Sequence, residues 1–228
     1  MTQTLKMISS MATRELLAVL ANQYKRDTGR SVMAEAVGGV DAAKRINAGE
    51  VVDVVVLAAA AIDKLIASGR VLTGRVDLVK SGVAVAVRGG APAPAIASAD
   101  DVKAAVLAAP TLSFSTGPSG DYLERLFDRW GILEKIRPRL VVPPPGVPVG
   151  VLVANGTAAL GFQQLSELMN LAGITVLGPL PDAIQHLTIF SGGICASSNS
   201  PAAARKLLQY LAAPQLAQIK LQHGMEAP

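Results

Sequence analysis

An α/β fold in two lobes is predicted by three observations. Between residues 5 and 69, short apolar runs alternate three times with amphipathic helical patterns, each pair joined by small or glycine-rich residues. A second alternation of the same kind fills residues 83–177. An extended run and two helical patterns then return the chain to the first series. The boundaries expected from this order are residues 1–82 with 188–228 for lobe one and 83–187 for lobe two, each with a mostly parallel sheet.

The elements follow in order. Residues 5–8 are apolar and extended, and Leu16, Leu17, Val19, Leu20 and Tyr24 recur on one helical face that Thr28-Gly29 closes. Residues 31–37 read as a strand, and Gly38-Gly39-Val40-Asp41 opens a short helix over 42–47. The run 51–58 is apolar except for Asp53, as in a central parallel strand, and 61–68 returns as a helix. Residues 71–80 show no clear period and read as an extended crossing. In the second series, 83–88 is a strand, and Ser98 caps a helix with Asp101 in the capping-box position. Strand 111–115 leads through Thr116-Gly117-Pro118-Ser119-Gly120 into a helix carrying Tyr122, Leu123, Leu126, Phe127 and Trp130, ended by Gly131. Residues 140–142 are strand-like, and 143–148 form a rigid proline connector into helix 149–155. Strand 158–162, helix 166–171 and strand 174–177 complete the series. Residues 186–190 are extended, Ser191-Gly192-Gly193 reads as a turn, 194–197 as a short strand, and helices begin at Pro201 and Pro214.

Half of the 228 residues are hydrophobic and 17% are charged, which excludes disorder. The net charge of +4 is small, and the scattered Lys and Arg have no aromatic interleaving, so no nucleic-acid partner is expected. No apolar run approaches the roughly 20 residues of a membrane span. One cysteine, Cys195, and two histidines, His186 and His223, supply neither a disulfide nor a metal set, and Cys195 reads as a buried filler. Read from Met1, the first strand arrives too early for a secretory signal, giving a cytoplasmic protein if Met1 is the native start.

The junction Ile8-Ser9-Ser10-Met11-Ala12-Thr13-Arg14 is the first place to look for chemistry. A strand runs into a helix whose first-turn N–H groups and positive dipole end favour an anion, with the Ser9 and Ser10 hydroxyls beside them. The same serines would also serve merely to end the strand and cap the helix. Arg14 opposes the dipole at this position, which either a carboxylate ligand or pairing with Glu15 would explain. Gly38 and Gly39 allow close backbone approach, as a ligand loop or a simple turn requires. Ser115, Thr116 and Ser119 lie where a strand's carboxyl end meets a helix, the usual ligand edge of an open α/β sheet.

The runs Ile8-Ser9-Ser10, 51–58 (VVDVVVLA), Gly161-Phe162-Gln163-Gln164-Leu165-Ser166-Glu167 and the closing stretch 202–226 together resemble the type 2 periplasmic solute-binding fold. The resemblance is to the periplasmic molybdate-binding proteins and their aconitate-isomerase-like relatives, and it spans essentially the whole chain. It implies a bilobed protein with a ligand cleft between the lobes, no cofactor and no metal. It also implies a small anionic ligand, carboxylate or oxyanion, an ABC permease as partner and a periplasmic location; the chain is expected to act as a monomer. The ligand residues expected on this basis are Ser9, Ser10, Arg14, Gly38, Gly39, Ser115, Thr116, Ser119, Gly146, Val147 and Gln163, with the companion Gln164 solvated. Met11-Ala12 and Gly38-Gly39-Val40 stand where oxyanion-binding relatives carry serines, which favours a polycarboxylate over molybdate. The alternative is an enzyme catalysing a 1,3-allylic proton shift in a tricarboxylate. Its base would come from Asp41, Asp53, Glu167 or His186, none of which the sequence singles out.

Overall fold

The alternation of apolar runs and helical stripes folds into eight strands and ten helices among the described residues, 4–144 and 146–228 of a computed structural model. The expected connector over 143–148 falls outside them at Pro145. In chain order the elements are β1 (Leu5–Ser10), a 3-10 turn (Met11–Thr13), α1 (Arg14–Thr28), β2 (Val32–Val37), α2 (Gly39–Asn47), β3 (Val54–Ala58), α3 (Ala59–Ala67) and β4 (Val76–Arg88). Then come α4 (Ala99–Ala108), β5 (Leu112–Phe114), α5 (Pro118–Arg129), α6 (Leu133–Ile136), α7 (Val149–Ala154), β6 (Leu160–Gln164) and α8 (Leu165–Leu168). The chain ends with β7 (Ile174–Pro179), β8 (Leu187–Ile194), α9 (Pro201–Leu211) and α10 (Ala217–Gln222). Two compact units result: the described residues up to Ser81 with Ile189–Pro228, and Gly82–Thr188.

In the first unit β1 pairs in parallel with both β2 and β3, and β8 runs antiparallel to β3. Alternation along β3 separates two cores. Val54 and Val56 pack with Leu16, Leu20 and Leu208, whereas Val55 and Leu57 pack with Ile46 and Ile62. The C-terminal segment is tied to β4 by paired backbone bonds between Lys80 and Glu226 and by the Ser81 hydroxyl donating to Gly224 O.

Ser191-Gly192-Gly193 is not a turn. These residues continue β8 opposite Leu57, Val56 and Val55. A Cβ on Gly193 would lie 2.5 Å from Val71 Cγ1, and one on Gly192 would overlap Leu208 Cδ2. The glycines are therefore packing clearances, which in sequence look the same as turn residues.

In the second unit β5 and β6 are parallel, β6 runs antiparallel to β4, and β4 runs antiparallel to β7. The sheet of the first unit is parallel apart from β8, whose first part reads in sequence as a crossing; in the second unit only β5–β6 is parallel, and residues 83–88 of β4 pair antiparallel with both β6 and β7, so that sheet is mixed rather than mostly parallel. Val83, Val85 and Val87 pack with Leu123 and the edge-to-face rings of Phe114, Phe127 and Phe162; Ala84 and Ala86 face Leu168. The Ser98–Asp101 capping box at α4 forms as the sequence predicts. Helix α6, too short to show a period, was not foreseen.

Candidate functional site

In the first unit the carboxyl ends of two parallel strands lie side by side, Ser10 of β1 opposite Val37 of β2. β1 extends two residues further than its apolar run, so Ser9 and Ser10 are strand residues, and a 3-10 turn separates them from α1. Ser9 turns its hydroxyl to Glu35 O at 3.4 Å, and Thr13 spends its own on Ser10 O at 3.1 Å. Ser10 is 8% exposed, and its Oγ has no hydrogen-bond partner among the described residues. It stands against the start of α2, where a Cβ on Gly39 would lie 3.7 Å from Ser10 Cβ. Gly38, the N-cap, supplies no side chain and leaves room for the Asp41 carboxylate, 3.2 Å from where its Cβ would be. The nine-residue α2 thus presents its first-turn amides beside a buried, unsatisfied hydroxyl.

Arg14 does not join this group. It opens α1 at the surface, where its guanidinium binds Glu15 Oε1 through Nε at 3.0 Å and Nη2 at 2.7 Å. Of the two explanations for a cation at this end of the helix, the structure displays the pairing with Glu15.

In the second unit Phe114, the last residue of β5, pairs with Phe162 of β6, so Ser115 just past β5 follows alongside Gln163 near the end of β6. Ser115 and Ser119 share a hydroxyl–hydroxyl hydrogen bond of 2.8 Å across the entry to α5, and Thr116 between them is exposed. Gly120 makes that approach feasible, because a Cβ there would overlap Ser115 O and lie 2.7 Å from its carbonyl carbon. Gly146 adopts a left-handed φ of 77°, and the Val147 N–H closes a turn onto Pro144 O at 3.0 Å. The Val147 amide is spent within its own loop.

Gln163 and Gln164 both belong to β6, and both are 3% exposed. The solvated glutamine expected at 164 is therefore buried, donating to Thr188 Oγ1 at 2.8 Å. Gln163 accepts the Gly150 N–H at 3.2 Å and donates to Glu167 Oε1 at 2.8 Å, so its amide holds protein groups at both ends. Ser166, in the first turn of α8, is buried with no partner for its Oγ among the described residues. Gly120, Ser166 and the Gln163–Glu167 link were missed in the sequence because each depends on which strand ends become neighbours.

The remaining titratable candidates have structural employment. Asp53 precedes β3, at the edge of the sheet away from these carboxyl ends, and accepts from Lys6 N at 2.9 Å and Ser198 Oγ at 2.6 Å. His186 stacks on Tyr122 with ring centres 4.7 Å apart, and burial, aided by the positive charge of Arg125, holds its pKa below the ordinary value. Among the described residues no group of three or more His, Cys, Asp or Glu side chains is placed to hold a metal, and no helix is long and apolar enough to cross a membrane.

Comparison with known proteins gives this geometry a family. Residues 5–226 match the model of the bacterial extracellular solute-binding proteins. The chain is 39% identical over 232 residues to an aconitate isomerase from a Pseudomonas species, covering 98% of this chain and 87% of that protein. Its fold is that of the Azotobacter vinelandii periplasmic molybdate-binding protein, with a TM-score of 0.81 and 21% identity over 98% of this chain and 99% of that one. The Desulfovibrio alaskensis G20 tungstate-binding protein is also similar, at a TM-score of 0.64 and 18% identity over 96% and 93% of the two chains. A family match from the first strand to the residues beyond the last helix, on a fold shared with these binding proteins, makes the chain a member of the bacterial extracellular solute-binding protein family.

Proposed function

We propose that this protein binds a small polycarboxylate in the manner of a periplasmic solute receptor and delivers it to an ABC importer. The observation that carries the reading is Ser10 Oγ, buried and unsatisfied beside the first turn of α2. A carboxylate oxygen accepting from that hydroxyl and from the helix amides would satisfy donors that the fold leaves without partners. Ser9 and Thr13 commit their hydroxyls to backbone carbonyls, so this edge offers one hydroxyl where a desolvated tetrahedral oxyanion needs donors for most of its oxygens. A planar carboxylate with two oxygens asks for fewer.

The second reading is an enzyme that moves a double bond within a tricarboxylate, and the 39% identity to an aconitate isomerase over nearly the whole chain favours it. Both readings share one ligand chemistry. A thermal-shift panel of molybdate, tungstate, sulfate, cis- and trans-aconitate, citrate and tricarballylate tests it. A ligand at about 100 times its Kd stabilises the native state by about 2.7 kcal/mol, which raises the melting temperature by several degrees. Stabilisation by tricarboxylates is expected; stabilisation by tetrahedral oxyanions alone would overturn the proposal. Exchange of substrate methylene protons with solvent separates the enzyme from the receptor.

A further inference from the structure

An allylic proton shift can be carried by a single group that removes a proton from one end of a three-carbon unit and returns it to the other. We propose that Glu167 is this acid–base group and that Gln163 positions it, an assignment that rests on the isomerase reading. The Gln163 side chain is 3% exposed, and both ends of its amide are engaged: Oε1 by the Gly150 N–H at 3.2 Å, and Nε2 by Glu167 Oε1 at 2.8 Å. A buried amide pinned to one helix therefore fixes a half-buried carboxylate on another.

The location is the ligand edge of the sheet. Gln163 and Ser115 follow the paired residues Phe162 and Phe114, so the Gln163–Glu167 link and the Ser115–Ser119 hydroxyl pair both lie at the carboxyl ends of the parallel strands β6 and β5. The unsatisfied Ser166 hydroxyl precedes Glu167 in the chain. The competing groups are less well placed. Asp53 has both oxygens bonded at the far edge of its sheet. Asp41 folds back over Gly38 with Lys44 at 3.9 Å, and His186 is stacked on Tyr122.

The step balances without a further reagent. The Glu167 carboxylate takes a methylene proton, and the C–H electron pair enters an allyl system flanked by the substrate's carboxylates. The double bond moves by one carbon as the Glu167 carboxylic acid returns the proton to the formerly vinylic carbon. Glu167 ends ionised, as it began, and nothing is oxidised or reduced.

Proton NMR in D2O with cis- and trans-aconitate as probes tests the assignment, with tricarballylate binding measured in parallel. The wild-type protein is expected to exchange and interconvert the probes. Glu167→Gln should lower that rate by about 1000-fold with the tricarballylate Kd held within about 3-fold, the scale of lost general acid–base catalysis. Gln163→Leu should lower kcat about 10-fold or more with KM unchanged, as loss of positioning requires. Glu167→Ala should regain exchange on addition of formate. Should the Gln variant not fold, Glu167→Asp reads the same quantity: a kcat loss at constant KM supports the assignment, and an unchanged kcat overturns it. Exchange by Glu167→Gln at the wild-type rate overturns Glu167 alone and leaves the isomerase reading standing. A wild-type protein that binds tricarballylate but neither interconverts the probes nor exchanges their protons removes the isomerase reading, and Glu167 with it.

Discussion

Gly120 is the residue on which the geometry of the second unit's hydroxyl pair depends, and Gly120→Ala measures that dependence. A Cβ at this position would lie 2.7 Å from the Ser115 carbonyl carbon and closer still to its oxygen, where ordinary contact begins at 3.4 Å. The obstacle is backbone, so no rotamer change relieves it, and the start of α5 must move from the end of β5 by on the order of 1–2 Å. Overpacking a well-filled site costs typically 1–3 kcal/mol, and this case belongs at about 3. Separation also breaks the 2.8 Å Ser115–Ser119 hydrogen bond, worth about 1 kcal/mol net. The sum, about 4 kcal/mol, corresponds to a melting temperature lower by about 10 °C for a chain of this length. Calorimetry and denaturant titration read it directly. Gly117→Ala in the same loop is the control: its Cβ would meet nothing within 4 Å, and its φ of −101° suits any residue, so only the weaker N-cap preference of alanine, about 1 kcal/mol at most, is lost. A Gly120→Ala protein that melts within about 2 °C of wild type would refute the close-approach argument.

Two further outcomes follow from buried groups in the first unit. Lys220 is 2% exposed, donates from Nζ to Leu78 O at 2.9 Å, and is held by burial below its ordinary pKa of 10.5. Because the unfolded chain binds this proton more tightly, stability should rise with pH between the lowered folded value and 10.5. Lys220→Met should abolish that rise, with stability at pH 7 equal to or above wild type; an unchanged alkaline limb in denaturant titrations would exclude Lys220 as its source. Cys195 is 1% exposed, and burial, reinforced by the negative charge of Asp53, pushes its thiol up to about 12. Iodoacetamide at pH 8 should therefore label it only on unfolding, and rapid labelling of the native protein would contradict the packing described for β8 and its flank.

The sequence alone determined the order of the longer strands and helices, though not α6 or the continuity of β8. Helix faces such as Leu16-Leu17-Leu20-Tyr24, the glycine stop at Gly29 and the Ser98–Asp101 capping box are set by local periodicity and terminal hydrogen bonding, which operate within a few residues. It also marked the Ser10 and Gly38–Gly39 junctions, because a strand ending in small residues before a helix is a local event. Tertiary structure decided what these residues do. Parallel pairing of β1 with β2 brings Ser10 to the start of α2 and sends the Ser9 hydroxyl to a β2 carbonyl. Glycines 192 and 193 look like a turn until Leu208 and Val71 come to lie over them. Gln163, read as a ligand group, is occupied by a helix amide thirteen residues back and a carboxylate four residues on. Burial and hydrogen-bond satisfaction are properties of neighbours brought together by strand pairing and helix packing, and periodicity specifies which face of an element is buried without specifying against what.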